Sequence, residues 1–584
     1  MAQVRLINIC NTNVLKIQHS LSDGEKNYLS GRKLCVQKCL VKNHISCTLS
    51  KVPNIAILGS GGGERAMVGL LGSLSQMGEQ GLLDAALYMS GVSGSTWCMA
   101  SLYEKANWSS DMKHIKVVAE RLGHGSVSLM DRVWHLIGYC RANANFSLTD
   151  VWAALVVPSI VKKIDKSTLS NYQKCHDKDP YPIYTVINQD CKYEHLQKET
   201  FFELTPHEAG YTLAGAFVET SNFGSIFNKG VLTTSKPEMD MTYLQGLCGS
   251  ALADREVILK ILKEWLEGGE NMKALKDHKG VQLLSTVVDL QLCQYTGCDP
   301  APLLQTANEL LLGKRDLDGS KLQFNFDGKN STDQNKQIHT VTSAVSMFFF
   351  EWNEDLVNLK VSEELEVFVK TLDKVNEKSP DKLVEVIWDF MIKKILQLVE
   401  GLLKLFWIWG TNYNYLHSVN APHIDKRLLQ SETTHFEDAG LLVNSPYMSA
   451  LRAERGIDLI ISFDFSAGSP METLTETAKE CKDLGISFPA INYTKSDMSS
   501  PKGFYVFKGV NKAPTVIHIP LFNVDNCGSE LEDYRKKYDT FQGAYSPEMI
   551  EDLMKKAGEN VLNNKEYLLR EIKDIIKQKG PTSA

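Results

Sequence analysis

The sequence predicts one large α/β domain on a mostly parallel or mixed central sheet, with helices around it and a cap or lid drawn from intervening segments. Three observations predict it. The run NIAIL from Asn54 is a short apolar strand halted by GSGGG. After it Met67, Leu70, Leu71, Leu74 and Met77 recur at helical spacing. From Leu83, LDAALYMSGVSGSTWCMASLY then repeats the order of strand, small-residue turn and helix. Two such units in tandem are how a sheet with crossover helices is written in a sequence.

Around these units the 584 residues are ordinary in composition, 43% hydrophobic and 23% charged, which excludes collagen-like, wholly disordered and disulfide-scaffold chains. The 63 basic and 70 acidic residues give a net charge of -7, so no nucleic-acid partner is expected and membrane contact is left to local patches. The 13 cysteines are odd in number and lack a paired zinc spacing, so reduced thiols are expected. The start, MAQVRLINICNTNVLKIQHSL, has no apolar export core, which points to the cytoplasm and makes the sequons at Asn107, Asn145, Asn330 and Asn492 chance matches. No apolar run is long enough to span a bilayer. Residues 314–340 have the composition of a mobile surface insertion, a second polar stretch follows at 373–382, and the lysine-rich end after Gly558 reads as a terminal helix and tail.

The chemistry lies in the turns. In Gly59–Arg65 (GSGGGER), between strand and helix, backbone N–H groups converge on one concavity at the positive end of a helix dipole. Three readings are open. A dinucleotide fingerprint has to tolerate Glu64 where a small residue belongs and where a carboxylate repels pyrophosphate. An oxyanion hole uses the amides of Gly62 and Gly63. A tight turn with no ligand uses neither. The second turn, Gly91-Val92-Ser93-Gly94-Ser95, has the form of a nucleophile elbow with Ser93 exposed at its tip, although the usual pattern ends in glycine. For a base, Asp438 precedes a small-residue turn and can take the serine proton if burial raises its pKa. His435 is the rival base, and a plain turn aspartate is the reading without chemistry.

GSGGGER at 59–65, GVSGSTW at 91–97, WGTNYNYL at 409–416, DAGLLVNSPY at 438–447 and SFDFSAG at 462–468 together resemble the group IV cytosolic phospholipases A2. The resemblance runs from about Lys51 to about Glu551 and is nearest to the gamma-type branch without a calcium-binding C2 module. It implies a catalytic domain over 51–562, with an N-terminal segment 1–50 and a C-terminal helix and tail 563–584. It also implies Ser93 as nucleophile, Asp438 as its dyad partner, Gly62 and Gly63 as the oxyanion hole, and Arg65 on the substrate phosphate. Glu64 departs from the apolar residue the family carries there.

The activity so implied is calcium-independent hydrolysis of fatty-acyl esters of glycerophospholipids through an acyl-enzyme. It needs no cofactor or metal, and lysophospholipase or transacylase turnover accompanies it. Its partners are a phospholipid membrane surface and glycerophospholipid or lysophospholipid substrates, met by a cytoplasmic protein in peripheral association with intracellular membranes. A Ser/His/Asp esterase and a catalytically silent lipid binder are the competing expectations. The apolar stretch 384–409 suits either a core helix or an interfacial one. The ending GPTSA has no prenylation cysteine, so anchoring by that route is not expected.

Overall fold

The computed structural model describes residues 15–174, 178–250, 409–540 and 544–579, with a few isolated positions between 286 and 306. The chain divides into two compact units, Met1–Leu252 with Trp409–Ala584, and Ala253–Ile408. The sheet lies in the first. The insertion expected at 314–340, the polar stretch at 373–382 and the apolar stretch from 384 to 408 fall outside the described residues.

The strands are β1 (Leu15–Ile17), β2 (Ile55–Gly59), β3 (Tyr88–Gly91), β4 (Tyr181–Asn188), β5 (Phe201–Leu204), β6 (Glu208–Tyr211) and β7 (Ala216–Glu219). There follow β8 (Ile226–Asn228), β9 (Val231–Thr234), β10 (Thr411–Tyr413), β11 (Thr433–Asp438), β12 (Leu459–Asp464), β13 (Tyr505–Phe507) and β14 (Thr515–Pro520). Ten of them follow the order β1-β7-β6-β5-β4-β3-β2-β12-β14-β13, while β8 and β9 form a separate hairpin. The centre, β4-β3-β2-β12-β14, is parallel. Its strands IAILG, LIISFD and TVIHIP are buried at every position, which is why they read as continuous apolar runs rather than alternating ones. Antiparallel pairing finishes both edges, through β13 on one side and the β5-β6-β7-β1 meander on the other. The sheet is therefore mixed.

Two crossover helices carry the turns of interest. Helix α2 (Gly63–Glu79) follows β2, and α3 (Gly94–Tyr103), buried along its whole length, follows β3. The C-terminal helix Pro547–Gln578 lies against α2, so close at Gly72 that a methyl group there would sit 2.4 Å from the Met554 carbonyl oxygen. That helix crosses position 562 without a break, and β1 of the N-terminal segment pairs with β7. Both flanking segments thus contribute to the same core.

Helix α1 (Asp23–Lys42) starts at Ser22, whose Oγ accepts the Glu25 N–H, and joins the sheet through a buried charge network. Arg455 bonds Glu25 of α1 and Glu203 of β5, and Arg452 bonds Glu203 and Glu208 of β6. Cys35, Cys39, Cys47, Cys98, Cys191, Cys248, Cys481 and Cys527 are free thiols. No helix among the described residues is long and apolar enough to cross a membrane.

Candidate active site

Gly59, the last residue of β2, pairs with Gly91, the last residue of β3, so the two glycine-bearing turns leave the sheet side by side at its carboxyl edge. Ser93 sits at the tip of the second turn with φ 51 and ψ -126, a strained conformation for a residue with a side chain, costing on the order of 1–3 kcal/mol. Its neighbours make the strain tolerable. A Cβ on Gly94 would lie 1.8 Å from the Gly63 carbonyl oxygen, so only glycine lets the two turns touch. Ser95, where the common elbow has glycine, donates its hydroxyl to the Ser60 carbonyl at 2.6 Å. The space it fills is the one Gly59 leaves empty, since a Cβ there would meet Ser95 Oγ at 2.6 Å. The serine in the fifth place is thus a tie between the two loops.

The first turn needs glycine for its backbone angles, with φ 147 at Gly62 and 58 at Gly63. Among the described residues the amides of Gly62 and Gly63 have no acceptor, and they open at the N-terminus of α2. Such a pair of free N–H groups is a receptor for negative charge. Arg65 is buried two residues beyond Gly63. Its Nε and Nη1 donate to the carbonyls of Phe465 and Tyr538, each at 2.7 Å, while Nη2 has no partner among the described residues. That free nitrogen lies 3.1 Å from where a Gly62 side chain would begin, so the spare donor borders the oxyanion turn.

Asp438 arrives from the other end of the same strand edge. β3 pairs with β4 as far as Tyr184, and β11, running the opposite way, pairs with β4 from Asn188 down to Val186, where Asp438 lies. β5 occupies the other edge of β4 at those positions, so β3 and β11 point at each other along one edge. Their last residues are two β4 positions apart, about 7 Å of strand. Thr185, in the gap, donates its hydroxyl to the Gly91 carbonyl at 2.8 Å. The Asp438 carboxylate is fully buried and accepts the Gly440 N–H at 2.8 Å, while its own N–H is held by Ser250 Oγ. Its charge is felt at Cys248, whose thiol is pushed well up by burial first and by Asp438 second.

His435 is on the wrong side of β11. Strand side chains alternate, so His435 and Asp438, three apart, face opposite ways. The His435 ring is engaged by Asp190 at 3.0 Å, in a partly exposed pair. Asn444 is a residue that the sequence reading passed over, although it lies in DAGLLVNSPY. Its backbone oxygen accepts the Gly61 N–H, and its amide donates to the Gly61 carbonyl and to Ser466 Oγ. A methyl group on Gly61 would lie 2.2 Å from Asn444 Oδ1 and 3.0 Å from Ser93 Cβ, and one on Gly440 would lie 2.8 Å from the same Oδ1 and 3.1 Å from Asp438 Oδ1. The Asn444 side chain therefore fills the seam between the serine, glycine and aspartate turns. Ser466 belongs to the fourth turn, at the end of β12.

Residues 55–265 match the lysophospholipase catalytic domain model. The chain is 34% identical to cytosolic phospholipase A2 gamma of Homo sapiens, with 95% of each chain covered. It is 32% identical to the Mus musculus protein of the same name, with 96% of this chain and 92% of that one covered. The chain belongs to the cytosolic phospholipase A2 family. The fold of human GIVD cytosolic phospholipase A2 superposes with a TM-score of 0.63 at 21% identity, over 97% of this chain and 68% of that one.

Within this cytosolic phospholipase A2 the seam residue offers a direct test. Asn444→Ala leaves every titratable group and the backbone bond to Gly61 in place but removes the side-chain ties to the Gly61 carbonyl and to Ser466. It is expected to lower kcat by up to about 10²-fold with little change in KM, measured on micellar substrate, because sub-ångström misplacement of the hole acts on the transition state.

Proposed function

We propose that this chain hydrolyses the fatty-acyl esters of glycerophospholipids, through Ser93 as nucleophile and Asp438 as general base, as a calcium-independent phospholipase A2 with lysophospholipase activity. The observation that carries the reading is the convergence of β3 and β11 on one gap of the β4 edge, with the strained serine at one end, a buried carboxylate at the other, and two acceptor-free amides alongside. The mechanism follows from those parts. Ser93 Oγ forms a bond to the acyl carbon while its proton passes to Asp438. The carbonyl oxygen, now negative, is held by Gly62 and Gly63 N–H, and one such donor is worth about 3–4 kcal/mol. Collapse breaks the ester C–O bond, and the leaving lysophospholipid oxygen takes the proton back from Asp438. Water, deprotonated by Asp438, then releases the fatty acid. Arg65, with its spare Nη2, suits one phosphate oxygen of the headgroup and would place the ester beside the serine.

The same acyl-enzyme passed to a lysophospholipid or alcohol gives transacylation. The site of action is a membrane surface approached from the cytoplasm. Phosphatidylcholine vesicles incubated with the protein in chelator should yield free fatty acid and lysophosphatidylcholine, and a serine-directed fluorophosphonate should attach once per chain, at Ser93. Vesicle binding with neither product nor label would instead identify a silent lipid binder.

A further inference from the structure

Glu64 follows the second oxyanion glycine, and the mechanism above does not use it. It is 6% exposed, and only one of its carboxyl oxygens has a partner, Oε2 accepting the Tyr545 N–H at 3.1 Å. Oε1 is buried with no partner among the described residues. No ion pair to Glu64 exists among the described residues, although charged groups surround it. Arg65 is its neighbour on α2. Lys162, in left-handed backbone at φ 60, comes from the turn after the helix Val157–Val161. The Tyr545 phenol faces both Glu64 and Arg65, and Asp539 and Asp464 lie toward Arg65. Arg65 is turned to the carbonyls of Phe465 and Tyr538 rather than to Glu64. A carboxylate one residue from an oxyanion hole, buried and without a counter-ion, opposes the negative charge the hole is built to receive.

We propose that Glu64 is a positioning residue of this site that works in its protonated form: neutral, it pins the oxyanion turn to the Tyr545 amide, and ionised, it slows the chemical step. The inference rests on the ester-cleaving reading given above. Burial raises the Glu64 carboxyl to about 7, against the opposing pull of the Tyr545 N–H and Lys162, so the working form is the majority species below neutrality. Tyr545 immediately precedes Ser546, the cap of the C-terminal helix, so the pinned turn is anchored to the helix that also braces α2.

The test is kcat against pH from 5.5 to 9 on micellar lysophosphatidylcholine, with the rate of fluorophosphonate labelling read on the same samples. Wild type is expected to lose about tenfold or more in kcat as pH rises through 7 to 9, with KM little changed. In Glu64→Gln, which keeps an acceptor for Tyr545, the rate at pH 9 should stay within about twofold of its own rate at pH 6. Stability supplies a second readout. The folded chain holds this proton more tightly than the unfolded chain, so wild type loses stability as pH rises from the ordinary carboxylate range through about 7. Glu64→Gln should therefore raise Tm at pH 8 and leave it unchanged at pH 4.

An alkaline fall that persists in Glu64→Gln overturns the proposal, and so does a folded Gln variant that is inactive at every pH. A flat wild-type profile overturns it too. If the Gln variant does not fold, Glu64→Met carries the same pH comparison. Wild type inactive at every pH overturns instead the hydrolase reading on which this one rests.

Discussion

Asp438→Asn is expected to lower turnover by about 10⁴-fold or more, as is Ser93→Ala, while His435→Gln stays within about twofold of wild type. The asparagine keeps the shape of the site, since its oxygen still accepts the Gly440 N–H, but it cannot hold the serine proton. The face of β11 that carries Asp438 holds only Thr434 and Phe436 besides, neither of them a base, and His435 is turned away and held by Asp190. Because a dyad acts as a unit, Ser93→Ala/Asp438→Asn should be no slower than either single variant. The measurement is fatty-acid release in chelator, with near-ultraviolet circular dichroism to show that each variant is folded. Loss of activity in His435→Gln with retention in Asp438→Asn would replace the dyad with a Ser/His/Asp esterase.

How much of this was legible in the chain depends on how local each feature is. NIAIL followed by GSGGG, and YMSG followed by VSGS, announce their turns because the strand, the break and the helix are contiguous. The small-residue turn marks Asp438 as a candidate base, but only the motif resemblance pairs it with Ser93, because its position is set by antiparallel pairing to β4, a partner far away in sequence. The choice between it and His435 needed the strand phase, which HFED alone does not reveal without knowing which face is buried. The meaning of Ser95 needed Gly59, and that of Asn444 needed Gly61 and Gly440, all contacts across turns. β1 escaped because LKI is too short to carry a periodic signal, and it is a strand only because β7 offers an open edge. Glu64 read as a misfit in a dinucleotide fingerprint, whereas its burial comes from the segment around Tyr545, which no local pattern ties to the glycine turn.

Arg455→Ala is expected to destabilise the protein by about 3–5 kcal/mol, read as a fall in the denaturant midpoint with no gain in slope. The guanidinium is completely buried, as are its partners Glu25 and Glu203, so truncation strands the Glu25 carboxylate in the core and leaves Glu203 to Arg452 alone. Burial by itself would raise the Glu203 carboxyl, yet Arg455 and Arg452 outweigh it and hold the group below its ordinary value. The sign of the pH dependence follows. The stabilisation is fully present above the ordinary carboxylate range and is lost as pH falls through the depressed value, so the gap between wild type and Arg455→Ala should narrow in acid. Arg455→Lys should recover only part of the loss, because one ammonium cannot serve Glu25 and Glu203 with paired donors as the guanidinium does. The effect should reach the site as well. Arg455 lies 5.5 Å over the ring of Tyr88, the first residue of the strand that ends at the serine turn, so this one side chain couples α1 and β5 to β3. A variant that stays folded at low temperature is therefore expected to label more slowly with fluorophosphonate, and an unchanged labelling rate would show that the network supports the fold without supporting the elbow.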